Sequence, residues 1–259
     1  MVSATKPRGY ARPVLAGISH GTSSAEGHNA IVGLLDAVAA TLPEVEVVGG
    51  YVDVEHPNVA ETLALIAPES DVVVVPLLLS AGYHVHVDLA QTTRGAGEGV
   101  GLAAALGPDE RLVRVLADRL VEAGYQRGDH VIMAAAGSSD PRAILDCEVV
   151  AAQLAVALSD EVTLAFHSAH SPAVPEAIAH ARTHLPARRI IISSYLLAPG
   201  SFQSRAETSG ADVVTESILP AKGRMPESLV ELVVDRYLEA VNRLHSAPVS
   251  MPTGLPASI

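Results

Sequence analysis

Short apolar runs alternate with amphipathic segments along most of the chain. The first half contains the apolar runs VLAGIS (14–19), VEVVGGYV (45–52), DVVVVPLLLS (71–80) and VGLAAAL (100–106). Helical periodicity is found over Ile31 to Leu42, Val59 to Ile66 and Leu112 to Ala123. A run such as 71–80, apolar at consecutive positions, is typical of a strand buried on both faces of a parallel sheet. The alternation therefore predicts an α/β fold in which helices connect parallel strands.

The second half repeats this pattern. Segments 112–123 and 229–240 match at six of twelve positions, at an offset of 117. Three further pairs of segments are similar: 20–24 with 136–140 (offset 116), 51–63 with 166–178 (offset 115) and 76–84 with 194–202 (offset 118). The four segments occur in the same order in both halves. Strands are expected near 131–136, 161–167, 189–195 and 212–218. We therefore predict a tandem duplication that forms two similar lobes, each a four-stranded parallel sheet flanked by helices, facing each other across a cleft.

The duplication predicts the domain organisation. We expect a flexible N-terminal arm (1–12), an N-terminal lobe (13–125) that carries the site, a degenerate C-terminal lobe (126–245) and a flexible tail (246–259). The arm is basic but is not followed by the long apolar run of a secretory signal. No run of about 18 apolar residues is present, so we expect no membrane span.

Composition narrows the class of protein. Aromatic residues make up 3% of the chain and Trp is absent, so the cores must consist of Val, Leu, Ile and Ala. The single cysteine, Cys147, excludes an internal disulfide and predicts a cytoplasmic location. A net charge of -12 argues against nucleic acid as a partner.

Ionisable residues follow three strands of the first half. His20 follows the first run, Asp53 ends the second, and the third is followed by His84, His86 and Asp88. Since ligands of open parallel sheets bind beyond the carboxyl ends of the strands, we expect these residues at one edge. In the second half the positions of the three histidines and of Asp88 are taken by Ala136, Phe202, Ser204 and Ala206. The duplicated framework therefore does not need these side chains for packing, which favours a chemical role.

Alternatives remain at this stage. His86 shares a face with His84 if the segment is extended, but not if it begins a helix. The GTSS segment also fits a turn with an N-cap serine. The remaining histidines considered, His28, His130, His180, His184 and His245, are interpreted as surface or packing residues. A histidine phosphatase is a weaker interpretation, since Ser19 replaces the arginine that such enzymes carry before the histidine.

The motifs SHGTSS, YVDVEHP and VPLLLSAGYHVHVD resemble those of the sirohydrochlorin chelatases, class II chelatases that insert cobalt or ferrous iron into a tetrapyrrole. The duplication resembles the long, two-lobed form of that family. The resemblance implies that His20 and His84 are catalytic and bind the metal. It also implies that Asp53 binds the metal, at a position where the family more often has Glu, with Asp88 and His86 in support. We expect substrate contacts from Gly21, Thr22, Ser23, Gly82, Tyr83 and Arg205, and we consider Arg94 and Arg142 as further carboxylate-binding candidates.

The chemistry of these residue types agrees with the resemblance. Neutral imidazoles bind divalent cobalt, iron and nickel without trapping them as four thiolates would. An imidazole can also accept the protons that pyrrole nitrogens lose, and a neighbouring carboxylate can orient it. Cobalt or ferrous iron is then a co-substrate, and no permanently bound cofactor is expected. The partners expected are sirohydrochlorin and a divalent metal, with the chain a monomer of pseudo-two-fold symmetry. A non-catalytic metal or tetrapyrrole carrier remains the alternative.

Overall fold

The first half of the chain forms an α/β lobe, referred to as the first lobe. The computed structural model describes residues 12–80, 82 and 84–246, and only the backbone of 84–86. Four parallel strands pair in the order β2-β1-β3-β4. They are β1 (Val14–Ser19), β2 (Val47–Tyr51), β3 (Val72–Pro76) and β4 (Val100–Leu102). The helices are α1 (Ala25–Thr41), α2 (Val59–Ile66), a π-helical turn (His84–Leu89) that continues into α3 (Ala90–Gly95), and α4 (Glu110–Glu122).

The second lobe repeats this order and confirms the predicted fold. Its strands pair in parallel as β6-β5-β7-β8. They are β5 (His130–Ala135), β6 (Val162–Phe166), β7 (Ile190–Tyr195) and β8 (Val213–Val214). The helices are α5 (Pro141–Leu158), α6 (Val174–His184), α7 (Ser201–Glu207) and α8 (Glu227–Ser246). The predicted arm and tail lie almost entirely outside the described residues.

Alternate residues of each strand enter different cores. Leu15 and Val73 of the first sheet join α1 in the largest core cluster, whereas Ala16 and Val74 pack with α2 on the opposite face. This period of two is what a strand requires, and burial on both faces explains the continuous apolar runs. None of the helices within the described ranges is long and apolar enough to cross a bilayer.

The third strand is shorter than the apolar run 71–80 indicated. β3 ends at Pro76, and the amide of Leu77 makes one further bond to the carbonyl of Ile18. Residues 77–80 then line a cavity beyond the sheet. They are largely apolar because they form a cavity wall, so hydrophobicity alone could not separate them from the strand.

The last helix of each repeat packs on the other lobe. α4 contacts α5 and β7 of the second lobe, while α8 contacts α1, β3 and β4 of the first. Arg236 on α8 donates to the carbonyl oxygens of Ala105 (2.9 Å) and Leu106 (3.2 Å), and Tyr237 donates to that of Pro13 (2.6 Å). The largest core cluster accordingly contains residues of both lobes. This exchange, which we did not predict, holds the two lobes together through a shared core.

Candidate functional site

A cavity of about 710 Å³ lies where the two lobes meet. In the first lobe its lining comes from residues 19–23, which follow β1, and from residues after β3 that include Gly82. In the second lobe it comes from residues 135–139 after β5 and 195–203 after β7. The carboxyl-end loops of both sheets therefore face one shared space, as expected for ligand sites of parallel sheets.

His20 stands on a tight turn between β1 and α1. It is exposed and lines the cavity. The next residue, Gly21, has a φ of 92°, and a Cβ there would lie 2.0 Å from the carbonyl oxygen of Asp53. Only glycine permits so close a backbone approach. Ser24 then caps α1, accepting from the amide of Gly27, as the N-cap interpretation of this segment expected.

The His20 turn is bonded to the loop that follows β2. The amides of Val52 and Asp53 donate to the carbonyl oxygens of Ser19 (2.9 Å) and His20 (3.0 Å). Farther along this loop, Glu55 accepts from the Thr22 amide at 2.7 Å. The positions of the His20 and Asp53 backbones are therefore fixed relative to each other.

His28 is part of the same arrangement. Its Nδ1 lies 2.6 Å from Oε2 of Glu55 and 3.3 Å from the Tyr51 hydroxyl. The sequence alone indicates a surface or packing role for His28, but this residue makes a specific polar contact with the loop beside His20. The spacing in sequence gives no signal of this pair, because the two residues are brought together only by the β2 loop.

The predicted carboxylates take different positions. Asp53 is exposed, its Oδ1 accepts from the amide of Val54 at 2.8 Å, and it is not among the residues that line the cavity. Asp88 is half-buried on the π-helical turn, where its carbonyl accepts from the Thr92 hydroxyl at 2.8 Å.

The structure places the backbone of His84 and His86 on the π-helical turn that follows Gly82. Short π-helical turns are frequent at functional sites. Tyr83 and the side chains of 84–86 lie outside the described set. Among the side chains that are described, no three His, Cys, Asp or Glu residues lie close enough to hold a metal ion. The proposed ligand set of His20, His84 and Asp53 therefore stays a prediction.

The three candidate arginines differ in their surroundings. Arg142 is paired with Asp140 at 2.7 Å, so its charge is already compensated. Arg94 is exposed in the last turn of α3. Arg205 is exposed on α7 and lies over the ring of Phe202, 4.5 Å from the ring centroid. Since Phe202 lines the cavity, Arg205 is the candidate whose position favours an anion there.

A second-lobe histidine at this edge was missed. His167 stacks on Phe202, with 5.2 Å between ring centroids, and its buried Nε2 has no hydrogen-bond partner among the described residues. Burial, followed by the charge of Arg205, lowers the pKa of His167 to about 4. The repeat alignment places His167 opposite Val52, so a search for histidines gained by the second copy would have found it.

The second lobe forms the same turn without a histidine. Gly137 has a φ of 93°, and its added Cβ would lie 1.9 Å from the carbonyl oxygen of Ser168. The amide of Ser168 donates to the carbonyl of Ala136 at 3.0 Å, as that of Asp53 does to His20. The duplication therefore extends to the conformation of the site loops, while the imidazole is present in one copy only.

Acidic groups are absent from the described lining of the cavity, although the protein has a net charge of -12. Among its described lining residues there is no Asp, Glu, Lys or Arg. Burial raises the pKa of Cys147 to about 12 and that of Tyr195 well above its ordinary value, so both stay neutral. The ionisable chemistry of the described lining is thus left to His20.

Comparisons with known proteins agree with this geometry. The CbiX family model matches residues 14–123. SirB from Bacillus subtilis with Fe3+ aligns with a TM-score of 0.76 and 19% identity, covering 91% of this chain and 98% of SirB. The sirohydrochlorin chelatase SirB from Bacillus subtilis subspecies spizizenii in complex with cobalt aligns with a TM-score of 0.70 and 15% identity, covering 90% of this chain and 96% of that protein.

DR2241 from Deinococcus radiodurans, a multi-domain protein with structural similarity to chelatases, aligns with a TM-score of 0.64 and 21% identity. The alignment covers 89% of this chain and 55% of DR2241. A comparison with curated proteins finds no match. The CbiX family model thus matches the first lobe, the chain as a whole has the fold of SirB, and the resemblance of the motifs to sirohydrochlorin chelatases is confirmed.

Proposed function

We propose that this protein is a chelatase that inserts a divalent metal ion, cobalt or ferrous iron, into sirohydrochlorin during cobalamin or sirohaem biosynthesis. The observation that carries the proposal is the cavity between the lobes. It presents His20 at its edge, has apolar walls and contains no carboxylate among its described lining residues. Such a space accepts a polyanionic ring without repulsion, while leaving an imidazole to meet the metal.

In this proposal His20, His84 and Asp53 bind the incoming metal ion. A small set of imidazole and carboxylate ligands exchanges readily, so the ion can pass to the tetrapyrrole. Two pyrrole nitrogens lose their protons as the metal–nitrogen bonds form. As the ion passes to the ring, the nitrogens of His20 and His84 that held it are released and accept these protons, and Asp88 and His86 orient the imidazoles or relay the protons.

The macrocycle would lie against apolar walls from both lobes, including Leu77 and Ile144. Its carboxylates would meet the backbone N–H groups of Gly21 and Ser23 and the hydroxyl of Thr22, just before α1, where the helix dipole favours negative charge. The N–H of Thr22 already donates to Glu55. Gly82 and Tyr83 would contact the ring from the loop after β3. Arg205 would bind a carboxylate while its guanidinium remains packed on Phe202.

SirB is described with Fe3+ and in complex with cobalt, so the fold accommodates both metals in that protein. The proposal keeps both metals as substrates of this chain, because imidazole ligation does not select between them. It places the metal chemistry in the first lobe (13–125), whereas both lobes contribute contacts to the carboxylates of the substrate. It also takes the working protein to be a cytoplasmic monomer with pseudo-two-fold symmetry.

The test is a multiple-turnover assay with sirohydrochlorin and either Co²⁺ or Fe²⁺. We expect His20→Ala and His84→Ala to lower kcat/KM for the metal by about 100-fold or more. His170→Ala, an exposed histidine in the equivalent second-lobe loop, should leave it unchanged. Wild-type rates in both first-lobe variants would refute the assignment. Delivery of one equivalent without turnover by the unmodified protein would instead establish the carrier alternative.

A further inference from the structure

Glu55, on the loop that follows β2, contacts both the His20 turn and the first helix. Its side chain is only 18% exposed, and its two carboxylate oxygens have different partners. Oε1 accepts from the amide of Thr22 at 2.7 Å, and Oε2 lies 2.6 Å from Nδ1 of His28 on α1. We call this set, Thr22, His28 and Glu55, the Glu55 clamp. It connects the β1, β2 and α1 segments beside the cavity.

The chemistry of the clamp defines the proton on His28. A carboxylate only accepts hydrogen bonds, so Nδ1 of His28 must carry a hydrogen and donate it to Glu55. Tyr51, which is buried to 8% exposure, stacks on the His28 ring with 6.2 Å between centroids. The imidazole is thus held on one side by an aromatic ring and on the other by the carboxylate. Both oxygens of Glu55 have partners within the protein, whereas Oδ1 of Asp53 accepts from the amide of its neighbour Val54.

The second lobe shows that the clamp is not needed to build this turn. The positions of Glu55 and His28 are taken there by His170 and Ile144, which cannot form a carboxylate–imidazole pair. The backbone is nevertheless reproduced, since the amide of His170 bonds to the carbonyl of Ser168 at 2.7 Å, as Glu55 does to Asp53. His170 instead packs edge-on against Phe166. The clamp is therefore an addition to the lobe that carries His20.

We propose that Glu55 and His28 are positioning residues that hold the His20 turn at a fixed distance from the Asp53 loop before the metal ion arrives. The inference rests on the proposed function, in which His20 and Asp53 bind the incoming ion. Without the clamp, the backbone hydrogen bonds from Val52 and Asp53 to the turn remain, but the β2 loop loses its side-chain contacts with Thr22 of the turn and His28 of α1. The imidazole of His20 then samples a wider range of positions, and the cost falls on metal capture.

The expected effect is selective. Loss of a group that orients a metal ligand typically lowers metal affinity or activity by about 10- to 100-fold. We therefore expect Glu55→Ala and His28→Ala to raise the KM for Co²⁺ by about 10-fold or more. The KM for sirohydrochlorin should change by less than about twofold, since the apolar walls and anion contacts are intact. Glu55→Gln, which keeps an acceptor for Thr22 but not for His28, should lie between Glu55→Ala and the unmodified protein.

Rescue separates positioning from general damage. His28→Asn places an amide N–H donor near the position of Nδ1, so it should reverse most of the rise in metal KM that His28→Ala causes. His170→Ala is the matched control in the second lobe and should leave both KM values unchanged. Initial rates with Co²⁺ and sirohydrochlorin varied separately, together with thermal midpoints, measure all variants.

His20→Ala in the same assay distinguishes the two levels of the argument. Full turnover by His20→Ala would overturn the proposed function itself. Inactive His20→Ala with an unchanged metal KM in Glu55→Ala and His28→Ala would overturn the clamp alone. A lower kcat together with a rise in both KM values in His28→Ala, without rescue by His28→Asn, would also overturn it, because it would show a purely structural role.

Discussion

Replacement of Gly21 by alanine tests how closely the His20 turn must approach the Asp53 loop. An added Cβ would lie 2.0 Å from the carbonyl oxygen of Asp53, whereas such contacts essentially never fall below 3.0 Å. The two loops must therefore separate by about 1 Å or more, the difference between those distances. Alanine also resists the φ of 92°, at a cost of roughly 1–3 kcal/mol.

The second lobe provides a matched control for this substitution. Gly137 has a φ of 93° and a Cβ position 1.9 Å from the carbonyl oxygen of Ser168. Gly21→Ala and Gly137→Ala should therefore lose similar stability, about 2–3 kcal/mol each. For a chain of this size that lowers the thermal midpoint by about 4–12 °C. Only Gly21→Ala moves a turn that carries an imidazole.

The two variants should differ in catalysis. A misplacement of about 1 Å at a reacting group can cost roughly 100-fold in rate, so we expect that order of loss in kcat/KM for the metal with Gly21→Ala. Gly137→Ala should keep its metal KM, since no proposed metal ligand lies in its loop. Thermal melts and initial rates with varied Co²⁺ measure both effects. A destabilised Gly21→Ala with an unchanged metal KM, or an equal loss in Gly137→Ala, would refute the reasoning.

Three further predictions concern groups away from the turn. Burial, and then the charge of Arg205, lower the pKa of His167 to about 4, so between pH 6.5 and 4 the unfolded chain binds the proton more readily than the folded protein. The free energy of unfolding should therefore fall by about 2 kcal/mol as the pH decreases through that window, after allowance for partial solvent access. Urea titrations at several pH values should show a smaller fall for His167→Leu. Cys147, whose pKa burial raises to about 12, should react with thiol reagents at pH 8 on the order of 1,000-fold more slowly in the folded protein than in denaturant; comparable rates would contradict its burial. Arg236→Met should lower the free energy of unfolding in urea by about 2–4 kcal/mol, because it removes two hydrogen bonds from α8 to the first lobe and one partner of Asp109. Glu239→Gln, which affects only the exposed ion pair of Arg236, should lower it by less than about 0.5 kcal/mol.

The elements of the fold were largely predictable because each depends on local pattern. The run 14–19 is β1, the periodic segment 59–66 is α2, and the second-lobe strands fall where the repeat offsets place them. Strand ends then indicate which loops meet, so the position of His20 at the cavity followed from topology. These inferences use only period, burial and chain order, which a sequence displays.

Other features depend on contacts that have no sequence period. The exchange of α4 and α8 between the lobes depends on which core the apolar face of each helix enters. The apolar faces of these two helices are similar, so the sequence pattern does not indicate which sheet each one covers. The Glu55 clamp joins residues 27 positions apart through atoms whose placement is set by a loop. The end of β3 was missed because a strand and a cavity wall are equally apolar at residues 77–80.

The two lobes together separate what the scaffold requires from what the chemistry adds. Both copies keep the glycine at positive φ, the hydrogen bond from the loop amide to the turn carbonyl, and the buried strand before the turn. These features therefore belong to the fold. The first copy adds His20 and the Glu55 clamp, whereas the second adds His167 packed on Phe202 beside Arg205. The net charge of the chain does not describe the cavity, since the protein has a charge of -12 but the described lining of the cavity has no carboxylate. The ligand charge that a protein tolerates is therefore decided by the residues that line its cavity, and the described lining here has no carboxylate that would repel an anion.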